Sequence, residues 1–273
     1  MTTYIELSGG LGNQLFQIAF SIYLRDRLKH QVLIDVDRLS KEQLSEIQPF
    51  LEYLGLTETR ISFYCHKFPG WRKVFNISSI FRGRLVLRRL EDSEDSLFDF
   101  KSSKHNLIYQ GYAQNKDFAY ILKDKLIEYL GDYDQSNSKK IIVHIRRGDM
   151  ESNTKAKQYH GLISLDWLLA NSIRARQISS DDSNSSILIH SDSEEAGVEF
   201  AEKVSNSCFV DSKNMKSFDV LRMMRGAQAY VLSNSTLGWW AAFLSMPQQV
   251  FAPLQWFAHF DHPKIRIDEW TWN

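Results

Sequence analysis

The strongest constraint on the fold lies in the second half of the chain, where short apolar segments alternate with amphipathic ones. Strands are predicted at 140–145, 186–190, 208–210, 229–233 and 249–252, with helices at 164–178, 194–204, 217–226 and 236–245. Strands that alternate with helices form a parallel sheet with helices on both faces. The sequence therefore predicts an α/β domain in this half.

The first half predicts a second unit of the same kind. A strand at 3–8 precedes a glycine-rich loop at 9–14, and a helix with an apolar face follows. Further strands are predicted at 31–37 and 107–112, with a helix at 116–130. The polar, turn-rich segment 131–138 marks a linker. We therefore expect two domains, 1–135 and 136–273.

The glycine loop favours anion binding, because it places backbone N–H groups at a helix N-terminus. Asn13 and Gln14 add side-chain donors there. The loop lacks the third glycine of a dinucleotide fingerprint, which disfavours a nicotinamide cofactor. The alternative is a tight turn that serves only packing. Asp35 and Asp37 form a D-x-D pattern, but an acidic strand end is more often a helix cap or a hydrogen-bonding edge than a metal site.

The segment 139–149, KKIIVHIRRGD, carries a dense polar cluster. Its first half is β-branched and nearly continuous, as in a central parallel strand. His144, Arg146, Arg147 and Asp149 follow at the carboxyl end, where ligands bind in open α/β sheets. Adjacent arginines favour a phosphate, since a guanidinium can bind phosphate oxygens through two N–H groups. The alternative is a pair of arginines in ion pairs with nearby carboxylates.

Polar residues also follow two other predicted strands of this half. Asp192 follows the strand at 186–190, and Asn234, Ser235 and Thr236 follow the strand at 229–233. Such residues are common helix N-caps, and they also present hydroxyl and N–H groups to anions. Both roles are compatible with a phosphate site beside the arginines.

Composition and motifs exclude several classes of protein. Basic and acidic residues number 33 each, so net charge is zero and nucleic-acid binding is not expected. Cys65 and Cys208 are far apart, which favours a reducing compartment without disulfides. No signal peptide and no apolar run of about 18 residues is evident, so a cytoplasmic protein is expected. There is no P-loop, no hydrolase elbow and no zinc-ligand spacing.

A basic, aromatic segment at 67–89 stands out in a neutral protein. Seven cations occur without an acid among them: Lys67, Arg72, Lys73, Arg82, Arg84, Arg88 and Arg89. Such a segment can lie on an anionic membrane surface or hold an anionic acceptor. The alternative is a solvated basic face that pairs with the acidic run at 91–99.

Three long motifs resemble one family in order along the chain. HIRRGD at 144–149 resembles the H-x-R-R-x-D motif shared by α1,2-, α1,6- and protein O-fucosyltransferases. GGLGNQLFQ at 9–17 and SNSTLGWWAAFL at 233–244 are similar to motifs of the α1,2-fucosyltransferases of glycosyltransferase family 11. Shorter similar stretches are GYAQ at 111–114, YHG at 159–161 and FAPLQWF at 251–257.

The resemblance implies a GT-B-type fold of two Rossmann-like domains facing a cleft. It implies GDP-fucose as the donor substrate, inversion at the sugar carbon, and no metal or other cofactor. The C-terminal domain would bind GDP-fucose, and the N-terminal domain would carry most of the acceptor site. The acceptor would be a galactose-terminated glycan such as an O-antigen unit, including a lipid-linked one. Segment 67–89 would then contact the inner membrane peripherally.

The resemblance also assigns roles to individual residues. Arg146 would hold the β-phosphate and assist the leaving group. The other residues expected at the donor are Asn13, His144, Arg147, Asp192, Asp219, Asn234, Ser235 and Thr236. The second motif departs from the family, because Ser193 stands where a second acid is usual.

The general base has two candidates. Asp149 lies at the strand end, where it could take the proton of the acceptor hydroxyl. It could equally orient Arg146, because a carboxylate beside two arginines stays ionised and weakly basic. His160, in a predicted loop, is the second candidate.

Two alternative functions remain open. One is a fucosyltransferase with a different linkage or acceptor. The other is a module that binds the sugar nucleotide or the glycan without turnover.

Overall fold

The computed structural model describes residues 2–60, 78–80, 85–90, 106–148, 154–178, 185–212, 214–259 and 261–273, with only the backbone described at 78–80, 85–90, 155 and 156. The chain divides into two compact units, Met1–Tyr129 and Leu130–Asn273. The boundary expected from the sequence lies a few residues further along the chain.

The first unit is built on a six-stranded sheet. Its strands are β1 (Thr2–Glu6), β2 (Gln31–Asp35), β3 (Thr57–Thr59), β4 (Ser78–Ile80), β5 (Leu85–Leu90) and β6 (Asn106–Tyr109). Its helices are α1 (Leu11–Asp26), α2 (Lys41–Tyr53) and α3 (Lys116–Leu130). The strand order is β3-β2-β1-β6-β5-β4, and every pair is parallel except β4 with β5.

Helix α1 forms the centre of the first unit's core, as its broad apolar face predicts. Leu15, Phe16 and Ile18 are fully buried, and the ring of Phe20 lies 4.9 Å from those of Tyr109 and Phe118. Helix α2 was not indicated by the apolar pattern. It begins with a capping box, in which the side chains of Ser40 and Gln43 each bond the other's backbone N–H.

The second unit contains another six-stranded sheet, and all of its strand pairs are parallel. Its strands are β7 (Ile141–Ile145), β8 (Ile187–Ser191), β9 (Ser207–Asp211), β10 (Ala229–Leu232), β11 (Gln249–Ala252) and β12 (Thr271–Trp272). Its helices are α4 (Thr154–His160), α5 (Leu165–Ile178), α6 (Glu194–Lys203), α7 (Ser217–Met223) and α8 (Thr236–Ser245), with 3₁₀ turns at Gln135–Lys139 and Pro263–Ile265. The predicted α/β architecture is confirmed, although β12 and the 3₁₀ turns were not predicted.

In each sheet there is one point at which the direction of the chain connections changes, because the two neighbouring strands there are connected to strands nearer opposite edges of the sheet. In the second unit the order is β12-β11-β10-β7-β8-β9, so the chain runs outward from β7 to β9 and then returns to β10 on the other side. In the first unit the change falls between β1 and β6. Ligands in open α/β sheets bind at such points, outside the carboxyl ends of the strands. The fold therefore indicates two places for functional residues.

Buried aromatic residues hold α8 against the second sheet. Trp239 and Trp240 are fully buried, and the indole N–H of Trp239 donates to the carbonyl of Ile265 at 2.9 Å. This bond satisfies the indole's one polar group inside the core. Helix α8 is thereby fixed with its N-terminus at the end of β10.

Two further sequence-based expectations concern the surface. In the described part of the chain, no helix is long and apolar enough to cross a membrane. The basic segment at 67–89 falls mostly outside the described residues, and only the backbone of β4 and of β5 is described there. Its membrane contact stays a prediction.

Candidate functional site

The candidate site of the second unit is built where β7 and β10 end side by side. The backbone N–H of Ser233 donates to the carbonyl of His144 at 3.0 Å. The backbone N–H of Arg146 donates to the hydroxyl of Ser233, also at 3.0 Å. These bonds extend the parallel pairing of the two strands into the loops that follow. They bring the HIRRGD and SNST motifs together, as the sequence predicts.

His144 is a buried, neutral side chain beneath this site. Burial lowers the pKa of His144 to about 4, partly offset by Asp192 and reinforced by Arg146. Its Nδ1 lies 3.4 Å from the Ser233 hydroxyl oxygen. A Cβ placed on Gly238 would lie 3.0 Å from the His144 ring. Glycine at that position therefore lets the N-terminal turn of α8 pack directly on the histidine.

Arg146 lies beside the N-terminus of α8. It is half-buried, and its Nη1 donates to the carbonyl of Asn234 at 3.4 Å. Ser235 is the N-cap of the helix, yet its side chain makes no capping hydrogen bond. Thr236 is the first helical residue and is half-buried. A guanidinium, two hydroxyl groups and the first N–H groups of a ten-residue helix thus gather at one point, and this combination suits an anion.

Arg147 differs from its neighbour. It is buried, with 8% of its surface exposed, and its Nη2 donates to the carbonyl of Ile163 at 2.7 Å. One carboxylate oxygen of Asp192 accepts the backbone N–H of Arg147 at 2.6 Å and that of Gly148 at 3.0 Å. Arg147 and Asp192 therefore hold the loop after β7, and their contact with a donor stays a prediction.

Asn234 ties three segments of the second unit together. Its side-chain amide donates to the carbonyls of His160, Gly161 and Trp256 at 2.8, 3.3 and 3.3 Å. Asn234 is 2% exposed, and its Oδ1 is buried without a partner in the described residues. The side chain therefore supports the site, and the expected direct contact with the donor is not what these bonds indicate.

His160 lies at the same end of the sheet, although not in a loop. The expected loop at 158–161 is wrong for 158–160, because α4 runs to His160 and Gly161 follows its end. Gly161 has φ +73°, and its N–H donates to the carbonyl of Lys157, as in a left-handed helix cap. The half-buried imidazole packs against Phe257, with ring centroids 5.5 Å apart.

Of the two remaining acids predicted at the site, Asp219 is described by the structure and Asp149 is not. Asp219 lies in the first turn of α7 and pairs with Arg222 at 2.8 Å, with 48% of its side chain exposed. Asp149 lies outside the described residues. Their expected roles remain predictions.

His190 is a buried group that sequence reasoning did not select. It stands beside His144 in the register of β7 and β8. Burial lowers the pKa of His190 to about 4, with a smaller contribution from His144. Neither ring nitrogen has a hydrogen-bond partner in the described residues. The sequence signal for a buried histidine here is its position directly after three apolar strand residues, Ile187 to Ile189.

The glycine loop of the first unit is held by glutamines. Gly9 has φ +76°, and its carbonyl accepts the side-chain amides of Gln14 at 2.8 Å and Gln43 at 3.0 Å. Gln17 donates to the carbonyls of Glu6 and Gly111. Gln14 was expected as a ligand donor, but it is buried and its amide is engaged within the loop. Packing therefore explains Gln14 and Gln17.

Asn13 is the polar side chain of that loop that matches the sequence expectation best. It is half-buried in the first turn of α1. Its Oδ1 accepts the side-chain N–H of Gln114 at 2.9 Å. Asn13 therefore lies at the carboxyl end of β1, next to the segment that follows β6.

Acidic, histidine and cysteine side chains do not cluster as metal ligands in the part of the chain that the structure describes. Within the described ranges, no group of three or more His, Cys, Asp or Glu residues could hold a metal ion. In the D-x-D pattern, Asp35 is fully buried and accepts the backbone N–H of Asp37 at 3.2 Å. This bond is a local turn contact of the strand end, and it caps no helix, because the next helix is α2, with Ser40 as its N-cap.

Comparison with known proteins identifies the family. The model of glycosyl transferase family 11 matches residues 86–271, and the chain belongs to this family. It is 26% identical to the O-antigen biosynthesis glycosyltransferase WbnK of Escherichia coli, over 98% of this chain and 99% of that protein. It is also 26% identical to an alpha-1,2-colitosyltransferase of Escherichia coli, over 92% and 91% of the two chains.

Solved structures show the same fold. NodZ alpha-1,6-fucosyltransferase co-crystallised with GDP matches with a TM-score of 0.52 at 13% identity, over 96% of this chain and 98% of that chain. A mutant of Arabidopsis thaliana FUT1 in complex with GDP matches with a TM-score of 0.51 at 14% identity, over 92% and 69%. The predicted family and the GT-B-type fold with two Rossmann-like units are confirmed. The protein is a glycosyltransferase.

Proposed function

We propose that this glycosyltransferase is a galactoside α1,2-fucosyltransferase. It moves L-fucose from GDP-β-L-fucose to the 2-hydroxyl of a terminal galactose, with inversion and without a metal ion. The acceptor is a surface glycan such as an O-antigen unit, presented at the cytoplasmic side of the membrane. The names of the curated relatives support the linkage and the acceptor class, and the family supports the donor.

One observation carries the chemistry, namely Arg146 beside the N-terminus of α8. The departing GDP gains negative charge as the bond to the sugar breaks. Arg146, the hydroxyls of Ser235 and Thr236 and the helix N–H groups are arranged to stabilise that charge. Positive groups held in place before the reaction can do what a metal ion does in other transferases.

Neutral His144 has a defined part in this proposal. We infer that the Ser233 hydroxyl, which accepts the Arg146 N–H, donates to Nδ1 of His144. The imidazole then carries its hydrogen on Nε2 and can offer it as a hydrogen bond to the donor substrate. Because the pKa is about 4, this state persists through neutral pH.

The acceptor hydroxyl needs a group that takes its proton. Asp149 and His160 are the candidates, and His160 is held at the end of α4 by the contact of its carbonyl with Asn234. Asn13 donates its side-chain amide to the donor substrate, and the first unit binds most of the acceptor. The cations of 67–89 attract the lipid-linked substrate.

A second candidate donor has specific support, because one relative is an alpha-1,2-colitosyltransferase. Colitose is fucose without its 3-hydroxyl group. A site that bonds this hydroxyl rejects the deoxy sugar strongly, whereas a site that encloses the deoxy position rejects fucose weakly. Competition between GDP-fucose and GDP-colitose in one reaction therefore separates the two proposals.

The test is transfer of labelled fucose from GDP-fucose to β-galactosides in the presence of EDTA. The wild type, Arg146→Ala and the exposed-arginine control Arg27→Ala are compared, and the linkage of the product is determined. We expect the wild type and the control to be active, and Arg146→Ala to lose about 100-fold or more in kcat. GDP binding without transfer to any galactoside would favour the binding module, and loss of activity with EDTA would refute the metal-free mechanism.

A further inference from the structure

Asn13 lies between Gly9 and Gln114 within the first unit. Its Nδ2 lies only 2.8 Å from the point that a Cβ on Gly9 would occupy, and Cε1 of Tyr112 lies 3.3 Å from the same point. Gly9 is therefore glycine for two reasons, its φ of +76° and the amide that covers it. The second contact is the bond from Gln114. The Asn13 amide is therefore bounded by the Gly9 backbone on one side and by Gln114 on the other.

Gln114 is itself buried, with 9% of its surface exposed. Its Nε2 donates to Oδ1 of Asn13 at 2.9 Å. Its own Oε1 is buried and has no hydrogen-bond partner in the described residues. A buried acceptor without a partner is costly, so packing alone gives no reason for an amide at this position. The bond to Asn13 gives that reason.

The backbone before Gln114 adopts a conformation that directs this contact. Ala113 has φ +51°, which is rare for a residue with a Cβ, and it is buried. The carbonyl of Gly111, two residues earlier, is held by the amide of Gln17 at 2.8 Å. The segment 111–114 is therefore fastened to α1 at both ends, with a strained residue between. Such strain is concentrated at functional sites.

We propose that Gln114 is a positioning residue that sets the orientation of the Asn13 side-chain amide. Because Gln114 donates to Oδ1, the N–H groups of Nδ2, and not the carbonyl, face the substrate. The inference rests on the proposed function, in which Asn13 contacts the donor. An N–H donor stabilises developing negative charge, whereas a carbonyl in the same place repels it. The orientation of Asn13 therefore decides whether it helps or hinders transfer.

Two nearly isosteric variants test the orientation. In Gln114→Glu the carboxylate can only accept, so Asn13 turns its N–H groups inward and presents its carbonyl. We expect kcat at pH 8 to fall about 100-fold, with the acceptor KM changed less than about threefold. In Gln114→Met no orientation is imposed, and we expect a smaller loss, below about tenfold.

The pH profile gives an independent signature. Burial raises the pKa of the introduced carboxyl group, and once protonated this group can again donate to Asn13. The activity of Gln114→Glu relative to wild type should therefore rise as the pH is lowered from 8 toward 5.5. A parallel profile for Gln114→Glu and wild type would contradict the inference. The exposed control Gln248→Glu adds the same charge elsewhere and should follow the wild type.

A double-mutant cycle shows whether Gln114 acts through Asn13. In an Asn13→Ala background, Gln114→Glu should change kcat less than about twofold, because there is no amide to turn. An equal loss in both backgrounds would overturn the inference, as would wild-type kcat in Gln114→Glu. A wild type that transfers no fucose would refute the proposed function, and the inference with it. An active wild type with unaffected variants would refute the inference alone.

Discussion

The Asn234→Asp substitution tests whether the side-chain amide of Asn234 holds the candidate site in place. It is nearly isosteric, but it replaces an N–H donor by an oxygen acceptor. The wild-type amide donates to three carbonyl oxygens, those of His160, Gly161 and Trp256. In the variant a buried carboxylate would face the same oxygens. The substitution keeps the backbone carbonyl of residue 234, which accepts from Arg146. The position of that carbonyl changes, because the side-chain bonds that fix the residue are lost.

The magnitude follows from the groups involved. Loss of these bonds costs about 1–3 kcal/mol, because buried carbonyls lose their donor. Burial and the carbonyl dipoles raise the pKa of the new carboxyl, and a rise of two units adds about 2.7 kcal/mol at high pH. We therefore expect a total loss of about 4–6 kcal/mol in the free energy of unfolding at pH 8. Since the folded pKa is raised, the loss grows as pH increases and shrinks toward pH 5.

The measurement is urea unfolding followed by tryptophan fluorescence between pH 5 and 8. The exposed-residue control Asn214→Asp should stay close to wild type at every pH. GDP affinity measured at low temperature, where the variant is still folded, should be weaker in Asn234→Asp, because the backbone carbonyl that accepts from Arg146 is displaced. An Asn234→Asp protein as stable as wild type at pH 8 would refute the supporting role assigned to this amide.

Three further substitutions or conditions give definite expectations. In Gly238→Ala the new Cβ would meet the ring of His144 at 3.0 Å, so we expect a loss of about 1–2 kcal/mol in urea unfolding and weaker GDP binding by calorimetry. In Gly226→Ala the new Cβ would lie 1.9 Å from Tyr133 at a φ of +82°, and the thermal midpoint should fall by about 10 °C. Burial lowers the pKa values of His144 and His190 to about 4 in the folded protein. Between pH 6.5 and 4 the unfolded state therefore binds more protons than the folded state. The free energy of unfolding should fall as the pH falls through that range. His190→Leu should flatten the curve of unfolding free energy against pH.

The position of the site could be predicted because it depends on local signals. A continuous β-branched run at 141–145 marks a buried parallel strand, and ligands gather at the carboxyl ends of such strands. The pairing of Arg146 with Ser233 could not be predicted from physics alone. It depends on the register between strands far apart in sequence, which neither segment encodes by itself.

The sequence contains a signal for the different positions of Arg146 and Arg147. Successive side chains in an extended chain point to opposite sides. If the chain stays extended past the strand end, two adjacent arginines leave it on opposite sides. Arg146 lies beside α8, and Arg147 turns to the carbonyl of Ile163. Alternation alone would have separated a ligand-facing arginine from a supporting one.

Short or interrupted elements explain the missed parts of the fold. Strand β12 has two residues, too few for a period to be visible, and its place is given by pairing with β11. Helix α2 contains Pro49 and several charges, which hid its apolar face. Its capping box, Ser40 with Gln43, was the available signal.

The division of labour within SNST shows why a short motif can specify so much. Ser233 accepts the backbone N–H of Arg146, and Asn234 fastens three carbonyls, so half of the motif never needs to touch a ligand. In the proposed function, Ser235 and Thr236 present hydroxyls and helix N–H groups to the phosphate. In that proposal, a displacement of Arg146 by about 1 Å would severely weaken its effect on the leaving group. Residues that only hold it in place should therefore be nearly as sensitive to substitution as Arg146 itself.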